Sequence, residues 1–69
     1  MKPINEIKEF AMSNNAEAFD KFCDENKIVN GWLDVNIMDY NEDYYNVVLP
    51  EYGVDVMYYN GKLEEIYEL

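Results

Sequence analysis

The chain has 69 residues, and its 15 acidic residues and five lysines, with no arginine or histidine, give a formal net charge of −10. Phosphates are neutralised by a surface rich in cations, and five lysines among 15 acidic residues do not provide one, so the charge argues against direct binding to nucleic acids or anionic membranes. A hydrophobic content of 49% indicates a packed core, and the length predicts one domain over residues 1–69.

The first thirty residues predict two amphipathic helices. Pro3 suits a first helical turn, and apolar residues recur after it at helical spacing, which predicts a helix over about 4–12. The polar run 13–15, Ser-Asn-Asn, competes with helix formation and supplies good N-caps, so it predicts a break. A second apolar stripe with charged residues opposite it predicts a helix over about 15–26.

From Gly31 onward the apolar period changes from about 3.6 to 2, which indicates strands with one buried face. The strands are expected over about 32–40, 44–49, 54–59 and 62–68. Asn60-Gly61, between two alternating runs, is typical of a type I′ hairpin turn and places Val54 opposite Tyr67. The last run could instead be helical, with its apolar residues on one side.

The predicted fold class is therefore α+β, with one or two N-terminal helices packed on a four-stranded antiparallel sheet, a meander. The helices are expected to cover one face of this sheet. The expected core residues are Phe10, Phe19, Phe22, Leu33, Val35, Ile37, Val47, Leu49, Val54 and Val56.

The octapeptide DYNEDYYN, residues 39–46, partly matches the calcium-binding loop of EF-hands. Its first, third and fifth residues fit the first three ligand positions. The glycine of the sixth position is Tyr44, however, and the bidentate glutamate of the twelfth position is Pro50. No metal site is predicted, which leaves only weak cation condensation.

Catalytic residue types are almost absent. The chain has no histidine or threonine, a single serine and a single cysteine. Ser13 lies in the predicted break, where a capping role is expected, and Cys23 lies on the apolar stripe of the second helix, where it should pack as a small hydrophobe. Three scattered glycines form no phosphate-binding loop. We predict neither an enzyme nor a cofactor.

The negative charge is concentrated in the second half of the chain. Residues 31–69 hold nine acidic residues and one lysine, a net charge of −8, whereas residues 1–30 carry −2. Such a field steers a basic partner and rejects acidic ones, and tyrosine is enriched at binding hot spots. The predicted partner-binding residues lie on the outer side of the sheet and in the connection between its first two strands, residues 39–46. They are Asp34, Asp39, Tyr40, Glu42, Asp43, Tyr44, Asp55 and Tyr59.

In its size, its charge, its lack of catalytic residues and its segment DVNIMDYNEDYYN, the chain resembles the small acidic inhibitors of phages and mobile elements, including anti-CRISPR and anti-restriction DNA mimics. This resemblance implies inhibition of a basic nucleic-acid-binding protein, such as a nuclease or a CRISPR or restriction effector, through occupation of its DNA or RNA site. It carries over a mode of action and no residue roles.

Three alternatives stay open at the level of sequence. The first is an immunity or antitoxin protein of a nuclease toxin, which would use the same electrostatics. The second is a homodimeric assembly module, which would use an exposed edge strand and the tyrosines. In the third, the acidic residues serve solubility alone. The chain is expected to be a monomer or a homodimer. The single cysteine and the lack of a signal-like N-terminus predict a cytoplasmic protein of a bacterial host.

Overall fold

The computed structural model describes residues 2–32 and 44–69, which form two helices followed by an antiparallel sheet. The elements are α1 (Ile4–Ser13), α2 (Ala16–Glu25), β1 (Gly31–Trp32), β2 (Tyr45–Leu49), β3 (Val54–Tyr59) and β4 (Lys62–Glu68). The strands pair in chain order, β1-β2-β3-β4. The α+β class is confirmed.

The four-stranded meander is found only in part. Within the described residues the sheet has three strands of five to seven residues, β2, β3 and β4, and only two residues of a first strand, β1. The pairing of β1 with β2 is antiparallel, with Gly31 opposite Val48. Most of the predicted strand over 32–40 lies outside the described residues.

Two asparagines produce the helix break that the sequence predicts. Asn14 ends α1, and its side-chain amide donates to the carbonyl oxygen of Phe10 at 3.0 Å. The side chain of Asn15 accepts a hydrogen bond from the backbone N–H of Ala18 at 2.9 Å, which makes it the N-cap of α2. Ser13, for which a capping role was expected, is instead the last residue of α1.

The β3–β4 hairpin has the predicted turn but a shifted register. Asn60 and Gly61 have φ values of 53° and 78°, as a type I′ turn requires, and the run after them is a strand, not a helix. Beyond the turn, Tyr58 pairs with Leu63 but Met57 pairs with Glu65, so Glu64 is an extra residue, a β-bulge. As a result Val54 lies opposite Glu68, and the predicted pairing with Tyr67 is wrong.

The core lies between the helices and one face of the sheet. Of the predicted core residues, five are buried: Phe19, Val47, Leu49, Val54 and Val56. Phe10 and Phe22 are partly buried and stack with ring centroids 4.0 Å apart. The predicted core residues Leu33, Val35 and Ile37 lie outside the described residues.

Tyrosine occupies more of this core than hydrophobicity alone predicts. Among the side chains whose burial the structure describes, Tyr45 and Tyr58 are the largest that are fully buried. The ring of Tyr58 contacts Phe19 of α2 at a centroid distance of 5.7 Å, and its phenol donates to the carbonyl oxygen of Ala11 in α1 at 3.2 Å. Tyr58 therefore connects the sheet to both helices.

Candidate protein-binding surface

The side of the sheet opposite the core forms a second face, which we call the open face. Side chains alternate between the two faces of a strand, and the observed pairing fixes which ones share a side. The residues of the open face are Tyr44, Asn46 and Val48 in or next to β2, Asp55, Met57 and Tyr59 in β3, and Lys62, Glu65 and Tyr67 in β4. The predicted outer surface of the sheet therefore exists, with a different membership.

Two exposed tyrosines stack at one end of the open face. Tyr44 is 52% exposed and Tyr59 is 44% exposed, and their ring centroids are 4.5 Å apart with an angle of 27° between the rings. A tyrosine side chain supplies a large contact area at a low cost in conformational entropy, because it has only two χ angles. An exposed aromatic pair of this kind is suited to anchor a partner protein.

The other end of the open face carries Tyr67 with two carboxylates near it. Tyr67 lies opposite Asp55 across the β3–β4 pair and is 40% exposed. A hydrogen bond with the carboxylate of Glu65 raises the pKa of Tyr67, and the negative charges of Glu65, Glu64 and Asp55 raise it further.

Asp55 is on the open face, as expected, but it is buried rather than solvated. It is only 7% exposed and lies between Val48 of β2 and Tyr67 of β4. The side-chain amide of Asn46 donates to its two carboxylate oxygens, at 3.2 and 3.5 Å. All five lysines of the chain lie in the described residues, and the ion pair found there joins Lys2 to Glu6. No lysine is therefore paired with Asp55, whose carboxylate has an amide donor and no cation.

The structure brings together part of the predicted site. Tyr44 and Tyr59 are in contact, and Asp55 shares their face. The other five predicted residues lie outside the described residues: Asp34, Asp39, Tyr40, Glu42 and Asp43.

Glu65 and Tyr67 were missed because a regular hairpin would have turned Tyr67 toward the core. A one-residue slip moves a side chain to the opposite face of a sheet, and the bulge at Glu64 produces such a slip. The sequence does contain a signal for it. Leu63 and Ile66, which both pack against the core, are separated by three positions instead of two.

The described residues offer little for catalysis or metal binding. Burial raises the pKa of the Cys23 thiol to about 12, helped by the charges of Asp20 and Asp24, so the thiol is protonated and a poor nucleophile at neutral pH. Residues 2–32 and 44–69 contain no group of three or more side chains arranged to hold a metal ion. Neither α1 nor α2 is long and apolar enough to cross a membrane.

Comparison with known proteins adds no relative: no protein-family model, no curated protein and no solved structure matches this chain. The described residues define a small acidic protein of the α+β class with an open sheet face that carries tyrosines and carboxylates.

Proposed function

We propose that this protein is a non-catalytic binding protein that inhibits a basic nucleic-acid-binding protein by occupying its DNA or RNA site. The observation that supports this most directly is the composition of the open face. It combines the stacked Tyr44–Tyr59 pair with the carboxylates of Asp55 and Glu65, in a half of the chain with a net charge of −8.

The electrostatics favour a site that normally holds phosphates. Such sites are lined by lysine and arginine, and carboxylates can take the place of phosphate oxygens as acceptors for both. The field of the acidic half attracts a basic protein over roughly one Debye length, about 8–10 Å at physiological salt. The tyrosines then supply the apolar contact area that a purely electrostatic complex lacks.

The partner would be a nuclease, or a CRISPR or restriction effector, in a bacterial host. An immunity protein for a nuclease toxin would use the same surface, and the identity of the captured partner separates the two. Self-association through the β4 edge is disfavoured by this strand, because Glu64, Glu65 and Glu68 are exposed on it and would meet like charges in a second copy.

Neutralising the β4 glutamates is expected to weaken binding of the partner. The triple variant Glu64→Gln, Glu65→Gln and Glu68→Gln should lose about tenfold in affinity, since each exposed interfacial charge pair is worth about 0.2–1 kcal/mol. The slope of log Kd against log salt should also decrease. Both are measured by biolayer interferometry with the partner isolated by pull-down from host lysate.

The matched control variant has the same net charge as the β4 triple variant, but its three substitutions lie on the helices. The triple variant Glu9→Gln, Glu17→Gln and Glu25→Gln removes three exposed charges from α1 and α2. It should change the affinity by less than about threefold, because these charges lie on the helices and not on β4. Equal losses for the two triple variants would show that only net charge matters and would contradict the assignment of partner binding to the side of the molecule that carries β4.

A further inference from the structure

The unusual group on the open face is the carboxylate of Asp55. A buried charge is normally paired with a cation or neutralised, because burial removes the water that stabilises it. Asp55 instead accepts from the side-chain amide of Asn46, a neutral donor that brings no positive charge to the carboxylate. The chain has no arginine or histidine, and no lysine pairs with Asp55.

The neighbours of Asp55 extend the same acceptor set. Glu65 is its diagonal neighbour on β4, at a distance of about 7–8 Å between adjacent strands of a sheet. Tyr67 lies directly opposite Asp55 and is exposed, and Glu65 precedes it by two positions on the same face of β4. Two carboxylates and an aromatic ring therefore converge on one part of the face, while Lys62 lies opposite Tyr59 toward the other end.

We propose that this part of the open face binds an arginine side chain of the partner, with Asp55 as the buried anchor and Glu65 and Tyr67 beside it. This inference rests on the proposed function, since it names the group through which the basic partner is recognised. The guanidinium supplies the cation that Asp55 lacks.

Arginine fits this arrangement better than lysine. Its planar guanidinium has five donors in a fixed fork that can engage a carboxylate in a bidentate manner and reach a second one, and it stacks on an aromatic ring such as that of Tyr67. A lysine ammonium is a compact and strongly hydrated charge, so it loses more hydration on entering a buried position. The exposed side chain of Tyr67 has to move or be stacked upon as the guanidinium reaches Asp55.

The test compares two peptides of equal length and charge, nine arginines and nine lysines, each titrated into the full-length protein by fluorescence anisotropy at several salt concentrations. The native protein should bind the arginine peptide about tenfold more tightly than the lysine peptide. Asp55→Asn should abolish most of this difference by weakening the arginine peptide alone. Glu51→Gln, an equal charge change in the exposed turn before β3, should leave the difference intact.

Folding of the variants is monitored by thermal unfolding. Asp55→Asn keeps the shape of the side chain and removes a buried carboxylate that has no cation beside it. The Tm of this variant should therefore be equal to or above that of the native protein. Asn46→Ala, which removes the amide donor and keeps the carboxylate, should lower the Tm yet retain the preference for arginine.

Two results would overturn the arginine assignment: equal affinity of the native protein for the two peptides, or a preference for arginine that survives in Asp55→Asn. Failure of the proposed function is a separate result. In that case the isolated partner would bind nucleic acid and this protein at the same time, whatever the peptides show.

Discussion

Replacing Tyr58 with alanine is expected to leave the protein largely unfolded at 25 °C. Tyr58 is fully buried, contacts Phe19 and donates a hydrogen bond to Ala11, so its loss removes contacts of the sheet with both helices. Truncating a buried aromatic residue to alanine costs about 3–5 kcal/mol, and a core in a chain of this size supplies little more than about 3–5 kcal/mol in total. Circular dichroism with urea titration measures the effect.

Two further variants separate the causes of this effect. Tyr58→Phe keeps the ring and loses only the hydrogen bond to Ala11, so it should cost about 1–1.5 kcal/mol. Tyr59→Ala, at the neighbouring exposed position, should remain folded. Cooperative unfolding of Tyr58→Ala within about 1 kcal/mol of the native protein would contradict the central position of this side chain.

The ionisation of Tyr58 predicts that Tyr58→Phe and the native protein differ in how their stability depends on pH. Burial raises the pKa of the Tyr58 phenol above its ordinary value of 10, because the charged form is poorly solvated in the core. The neutral form is thus favoured by the fold, and this contribution to stability is complete below pH 10 and is lost as the pH rises above it. Tyr58→Phe cannot ionise there, so its stability should fall less steeply above pH 10 than that of the native protein.

Removing the exposed tyrosine pair is expected to abolish most of the partner affinity without loss of folding. The double variant Tyr44→Ala, Tyr59→Ala deletes two stacked, exposed rings that together present a continuous aromatic surface on the open face. Aromatic hot-spot residues contribute about 2 kcal/mol or more each when truncated, which predicts a loss of at least about thirtyfold in Kd. Isothermal titration calorimetry with the isolated partner measures this loss.

The control for the tyrosine pair uses exposed apolar residues elsewhere on the molecule. Met12→Ala with Val29→Ala removes two side chains that are 65% and 54% exposed and lie outside the open face. This variant should bind with nearly native affinity. If the tyrosine double variant retains its affinity within about threefold, or the control loses as much, the open face is not the binding surface.

Local rules were sufficient for much of the fold. The apolar stripes predict both helices, and the competition of Asn14 and Asn15 with helix formation predicts the break between them, where Asn15 caps α2. Asn60-Gly61 predicts the β3–β4 turn because both residues must adopt positive φ. In these segments the sequence preference and the tertiary structure agree, which is why short-range patterns predict them.

The parts that the sequence did not predict depend on a single inserted residue and on contacts between strands. Glu64 adds a residue to β4, and a hairpin drawn with regular pairing places Tyr67 on the wrong side of the sheet. Asp55 is buried, has Val48 of β2 and Tyr67 of β4 as its cross-strand partners, and accepts a hydrogen bond from Asn46, nine positions away in the chain. Alternation alone assigns the face of Asp55 correctly but gives no information about its burial.

The most direct test of the central claim is competition between this protein and nucleic acid for one partner. The partner isolated by pull-down is mixed with a fluorescent DNA duplex or RNA, and the labelled nucleic acid is followed by anisotropy as this protein is added. We predict complete displacement of the nucleic acid, with an apparent affinity of the protein that decreases in proportion to the nucleic-acid concentration. A stable complex that contains the partner, the nucleic acid and this protein together would contradict the account.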